Sequence, residues 1–282
     1  MLLAIDIGNS RIKWGLFDGL RCRTMGFIPT RDFQDLDPVG YEFEWGGAGA
    51  GLPGIAAQDG ALLDSAPAPA VLDAALLAQA DALAVCSVGG SGVEGRLMAH
   101  LHTRGLAPLP AFRIAAAVQG LGVHNAYAEP ERLGADRWAA LVAAYLRGPV
   151  PAVVVMAGTA TTVDALDADG HFQGGYILPG LRLMPKSLYE RTAGIRPGDG
   201  TWSAFPHSTA DAVASGVLAA SAGAVAGMVQ TLQTHGGGSA VHTLVSGGNG
   251  PALLARMREL GLAPRYERDL VLHGVAALYH AR

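Results

Sequence analysis

Eight consecutive residues near the start of the chain, Asp6-Ile7-Gly8-Asn9-Ser10-Arg11-Ile12-Lys13, combine a carboxylate, a glycine turn, small polar side chains and a lysine. Glycine lets the backbone approach a bound group closely, and the N–H groups of the turn, with Asn9, Ser10 and Lys13, can donate to anionic oxygens. Asp6, at the end of an apolar strand, has the chemistry to hold Mg2+, which favours carboxylate and water ligands and bridges phosphate groups. The same residues also suit an ordinary β-hairpin in which Asp6 caps a turn.

A second constellation is Leu133-Gly134-Ala135-Asp136-Arg137-Trp138, just ahead of an apolar helix expected over Trp138 to Tyr145. Asp136 suits the start of a helix beside the positive end of its dipole. It equally suits a general base that accepts a hydroxyl proton, with Arg137 neutralising nearby negative charge. A third is Gly158-Thr159-Ala160-Thr161-Thr162, a turn rich in hydroxyls and backbone donors, with Asp164 close behind. Ser246-Gly247-Gly248-Asn249-Gly250, leading from a strand into a helix, fits either a ligand-contacting loop or a plain turn. Two other patterns carry less. Gly49 to Gly54 has dinucleotide-type glycine spacing after the strand-like Tyr41 to Trp45, but Pro53 falls inside it. His100 and His102 lie in a helical pattern that points them apart, so no transition-metal site is expected.

The elements that must position these groups are legible from patterning. Leu2 to Ile7, Arg11 to Phe17 and Leu20 to Phe27 read as an antiparallel meander with a hairpin at Asp18-Gly19. A helix near Val71 to Gln79, a strand at Ala82 to Cys86, a helix near Val93 to Arg104 and a strand around Phe112 to Ile114 follow, an alternation that implies parallel pairing. Val153 to Met156, Val163 to Leu166 and His171 to Ile177, with a turn at Asp169-Gly170, repeat the opening meander when Gly158 is aligned with Gly8, so an internal duplication is expected. The expected fold class is α/β with two ribonuclease-H-like lobes, 1–114 and 115–282, and a nucleotide cleft between them, like that of acetate kinase, sugar kinases, actin and Hsp70.

Composition agrees. At 282 residues the chain can bury a large core, and half of it is hydrophobic. A formal net charge of -4 gives no footprint for nucleic acid or an anionic membrane. Two cysteines fit a reducing compartment rather than a disulfide framework. Ala212 to Ala255 lacks charged residues but is built from Ala, Gly and Ser, and reads as a buried helix, a glycine turn and a strand rather than a membrane span. With no basic leader ahead of the first strand, a cytoplasmic protein is expected.

Taken together, Asp6-x-Gly-Asn-Ser through Lys13, Asn125-x-Tyr127, Leu133 to Arg137, Gly158 to Thr162 with Asp164, Gly174-Gly175-Tyr176-Ile177-x-Pro179-Gly180 and Thr209-x-x-Ala212-Val213-x-x-Gly216 resemble type III pantothenate kinase. The resemblance implies ATP-dependent phosphorylation of pantothenate to 4'-phosphopantothenate, the first step of coenzyme A biosynthesis. It implies that Asp6 to Lys13 and Thr159 bind ATP with Mg2+ near Asp6, that Asp136 is the proton acceptor, and that Tyr127, Gly134, Ala135, Asp136, Arg137 and Thr209 contact pantothenate. It also implies a homodimer and a monovalent cation, K+ or NH4+. A different small-molecule kinase and a regulatory accessory protein of the same fold are the alternatives. One departure stands out: where the family usually has Asp two residues before Gly158, as a ligand for the monovalent cation, this chain has Met156. A thioether is a poor ligand for a hard cation, so weakened K+ dependence is expected.

Overall fold

The computed structural model describes residues 1–33, 72–89, 91–148, 150–196 and 198–282; the patterns at Tyr41 to Trp45 and Gly49 to Gly54 lie outside the described residues. In chain order come β1 (Leu2–Ile7), β2 (Arg11–Asp18), β3 (Arg21–Pro29), α1 (Ala74–Leu77), β4 (Ala82–Ser87), α2 (Ser91–Thr103), β5 (Ala111–Arg113), β6 (Gln119–Gly120), β7 (Val123–Asn125) and α3 (Ala135–Arg147). They are followed by β8 (Ala152–Ala157), β9 (Ala160–Leu166), β10 (His171–Pro179), α4 (Leu183–Arg191), α5 (Thr209–His235), β11 (His242–Ser246), α6 (Gly250–Glu259), β12 (Pro264–Tyr266) and α7 (Leu270–His280).

These elements form two compact units, one from the described residues of 1–33, 72–148 and 269–282, the other from those of 150–268. The division does not coincide with the lobe boundary expected after residue 114. Helix α3 stays with the first unit and the chain returns to that unit with α7, because α3 and α7 pack on each other and α7 also covers β1 and β4.

In the first unit the strands run β3-β2-β1-β4-β5. Strand β1, Leu-Leu-Ala-Ile-Asp-Ile, is buried along its whole length, as a central strand covered on both faces must be, and Asp6 is its one charged residue. It runs antiparallel to β2, with Asp6 opposite Lys13, and parallel to β4, with Asp6 opposite Cys86. The hairpin at Asp18-Gly19 forms as expected, with Gly19 at φ 58°. Leu3, Ile5, Ile7, Trp14 and Leu16 of the sheet share a core with Leu97 and Leu101 of α2. Helix α3 begins earlier than its apolar run suggests, at Ala135, so Asp136 lies in its first turn. A Cβ on Gly274 of α7 would overlap the Ala139 carbonyl of α3, so the two helices approach backbone to backbone. That close seat fixes where α7 starts, and with it Asp269.

In the second unit β12-β11-β8-β9-β10 reproduces the same order. Strand β8 is antiparallel to β9 and parallel to β11, which is parallel to β12, as β1 is to β2, β4 and β5. The duplication seen in the turn spacing is therefore a duplication of topology. Helix α5 is long and apolar enough to cross a membrane by length and composition alone. Its Val217, Leu218, Val225 and Val229 share a core with Val153, Val155 and Val163 of the sheet, as in the core helix of a globular domain.

Candidate active site

The first unit brings Asp6, Lys13 and Asp136 together, and adds a residue that sequence reasoning does not single out, Asp269. Asp6 ends β1 and is only 8% exposed. Its carboxyl is pushed up to about 7, first by burial, which disfavours the anion; Lys13 pulls it down, and the negative charges of Asp136 and Asp269 push it up. The Cys86 thiol, opposite Asp6 on β4, is raised well above its usual range by burial and then by the same Asp6 and Asp136 charges. Lys13 acts on both Asp6 and Asp269, its Nζ lying 3.0 Å from Asp269 Oδ1. A buried carboxylate with further carboxylates acting on it is chemically suited to a divalent cation at Asp6.

The turn that follows Asp6 is held from beneath. Gly8 N–H donates to the Arg11 carbonyl at 3.1 Å, while Thr30 donates from Oγ1 to the Gly8 carbonyl at 2.8 Å and from its N–H to the Ser10 carbonyl at 3.2 Å. Asn9, Ser10 and Arg11 remain exposed, Arg11 stacking on the Phe27 ring. Ile7 and Ile12, by contrast, are buried core residues and take part only through their backbone.

Asp136 accepts the N–H of Arg137 on Oδ1 at 2.8 Å, which caps the helix from inside its first turn and leaves Oδ2 for another partner. Gly134 makes room for this: a Cβ there would stand 2.7 Å from Asp136 Oδ1. Arg137 is 5% exposed, and its guanidinium donates to the Tyr127 hydroxyl at 2.8 Å. A cation in the first turn opposes the helix dipole, so Arg137 is held there for its donors rather than for helix stability. The Asn125 side chain sets the preceding loop, donating to the Pro130 carbonyl at 3.0 Å and accepting the Tyr127 N–H at 3.1 Å. Asp136 thus accepts an N–H within the first turn of its helix and lies near enough to Asp6 for its charge to act there.

Thr159 and Thr209 lie in the second unit, both exposed. The Gly158 turn is clamped by its neighbours: Asn249 Nδ2 donates to the Gly158 carbonyl at 3.0 Å, and Gly180 N–H donates to the Thr159 carbonyl at 2.9 Å. Gly180 abuts these carbonyls so closely that a Cβ would overlap them. The loop Ser246 to Gly250 is thus bound to the Gly158 turn, an association that the sequence did not indicate. Asp164 is buried and accepts from Thr162 Oγ1 at 3.1 Å. Thr209 opens α5 beside its cap, Ser208, which accepts the Asp211 N–H at 3.1 Å. Met156 faces Thr162 on β9 and Ser246 on β11, and the Thr162 hydroxyl in turn donates to the buried Asp164 carboxylate.

Comparisons with known proteins agree in direction. A family model described as type III pantothenate kinase matches residues 2–231. The type III pantothenate kinase of Leptothrix cholodnii is 38% identical over 257 residues, 87% of this chain and 85% of that protein. That of Dechloromonas aromatica is 35% identical over 249 residues, 88% and 87%. Among solved structures, a Campylobacter jejuni protein assigned to the Baf family of transcriptional activators aligns with a TM-score of 0.54 at 18% identity, covering 99% of this chain and 97% of that one. A Sinorhizobium meliloti protein assigned as a 2-dehydro-3-deoxygalactonokinase aligns at 0.50 and 14% identity, covering 100% and 98%.

The Asp6 environment has a sign that can be checked on the protein without divalent cations. Between about pH 4 and 7 the folded state keeps a proton on Asp6 that the unfolded chain, with its ordinary value of 3.8, has released, so stability falls as pH rises through that window. Asp6→Asn flattens the window and at pH 8 is more stable than wild type by on the order of 3 kcal/mol. Denaturant unfolding from pH 4 to 8 measures both; an unchanged slope in the variant contradicts a buried Asp6 charge as its source.

Proposed function

Because the chain belongs to the type III pantothenate kinase family, we propose that the Asp6, Lys13 and Asp136 cluster is its phosphoryl-transfer centre, with Asp136 as the general base. The chain catalyses ATP-dependent phosphorylation of pantothenate to 4'-phosphopantothenate in coenzyme A biosynthesis. The observation that carries the assignment is the placement of Asp136: one oxygen is held by the Arg137 N–H, the other is available, and the group lies in the electrostatic field of Asp6.

Asp136 takes the proton of the pantothenate primary hydroxyl as that oxygen forms a bond to the γ-phosphorus, and the bond from phosphorus to the bridging oxygen of ADP breaks. Arg137, steadied by Tyr127, pairs with the pantothenate carboxylate with Gly134 and Ala135 beside it, and Thr209 is assigned to pantothenate binding. The turn from Gly8 to Arg11, Lys13 and Thr159 hold the ATP phosphates through backbone and side-chain donors. Asp6 is the residue that would hold Mg2+, which would supply positive charge to offset the charge developing on the transferred phosphoryl group.

A homodimer in the cytoplasm completes the reading. The second unit exposes Tyr176 and Ile177 on β10 and Leu183 and Leu188 on α4, a helix that buries none of its residues, and apolar area of this kind favours a partner subunit.

Two measurements test this reading. Asp136→Asn lowers the rate of phosphate transfer to pantothenate by about a hundredfold or more while ATP still binds; normal turnover in that variant overturns the assigned base. With Met156 in place of a carboxylate and hydroxyls at the positions directly beside it, the enzyme keeps most of its rate when K+ and NH4+ are replaced by a large organic cation. Activity that vanishes without K+ and returns in full with it contradicts this.

A further inference from the structure

We propose that Asp269 is a positioning residue for the phosphate-binding lysine, its carboxylate holding the Lys13 ammonium in place before the nucleotide arrives. The inference rests on the reading of Lys13 as an ATP contact. Lys13 Nζ stands 3.0 Å from Asp269 Oδ1, and the two side chains are only 20% and 16% exposed, so solvent screens this pair less than it screens a surface one.

Left-handed backbone is one reason for an aspartate here, since Asp adopts it more readily than most side chains, and the ion pair with Lys13 is a second. Asp269 has φ 49° and ψ 44°, the left-handed region in which a Cβ is strained, and among the described residues only Leu121 is another non-glycine with positive φ. Glycine would adopt that backbone freely. The residue also precedes α7, where an aspartate ordinarily accepts an N–H of the first turn, yet its side chain makes no capping bond. Its main-chain carbonyl accepts from Leu272 N–H at 3.0 Å instead. The carboxylate is thus turned away from the helix it begins and towards Lys13.

Asp269 is also rigidly mounted. Helix α7 is pinned on α3 by the Gly274 contact and lies against β1 and β2, the strands that carry Asp6 and Lys13. Lys13 itself is a long side chain with freely rotating bonds, and it lies directly opposite Asp6 in the sheet. A second carboxylate on a fixed element keeps the ammonium from collapsing onto Asp6 alone. Nucleotide then meets an ordered donor, and less side-chain freedom is lost on binding.

The test is steady-state kinetics with ATP varied, together with melting temperatures, for wild type, Asp269→Gly, Asp269→Asn, Lys13→Ala and the Lys13→Ala/Asp269→Gly double variant. Asp269→Gly is expected to melt at or above the wild-type temperature, because its backbone is relaxed, and yet to raise the KM for ATP by about tenfold, as Asp269→Asn does. In the Lys13→Ala background Asp269→Gly should add nothing further. Wild-type KM in both Asp269 variants, or the same loss with and without Lys13, overturns the positioning role; the latter would mark Asp269 as a purely structural residue. If Asp269→Gly melts lower, the comparison of single and double variants still decides. An unchanged KM for ATP in Lys13→Ala removes the lysine from the nucleotide site, and the proposal falls with that premise rather than with Asp269.

Discussion

A carboxylate at the end of a fully buried central strand is the constraint on which the first unit depends. Water cannot solvate Asp6, and Asp136 and Asp269 add like charge, so its proton is held up to about neutral pH despite Lys13 on the adjacent strand. The rest of the unit converges on that point. Strand order sets Lys13 opposite Asp6, the first turn of α3 brings Asp136, and the tight seat of α7 on α3 brings Asp269. A buried carboxylate raised by burial and by two neighbouring carboxylates costs stability, and suits a divalent cation.

The duplicated topology makes the contrast between the units informative. Both have a central strand that is antiparallel to the next strand and parallel to the one beyond, and both end that central strand in a glycine turn. At that turn the first unit carries Asp6 and Lys13. The second carries Met156, flanking hydroxyls, Asp164 further along β9 and a turn clamped by Asn249 and Gly180. The first copy of the repeat has charge at its turn, whereas the second offers backbone and hydroxyl groups there on a rigid frame.

Much of this was legible in the sequence because it is local. Asp18-Gly19 and Asp169-Gly170 specify hairpins whatever the surroundings, and both glycines have positive φ. The apolar run of Leu2 to Ile7, broken only by Asp6, announces a strand. Long-range features were hidden. Helix α4 buries none of its residues and so lacks a clear apolar stripe, and the packing of α7 on elements far from it in the chain has no local signal. Nothing in the sequence singles out Asp269; only the fold shows its carboxylate on Lys13. For Asp136 the sequence left cap and base as alternatives, and the geometry accommodates both.

The central claim is that ligand binding supplies the positive charge that Asp6 lacks. Calorimetric titration with Mg2+-saturated ATP at pH 7, in buffers of different ionisation enthalpy, counts the protons exchanged on binding. The account predicts release of about half a proton per site as Asp6 ionises, and none in Asp6→Asn. No release from the wild type, or equal release from the variant, would contradict it.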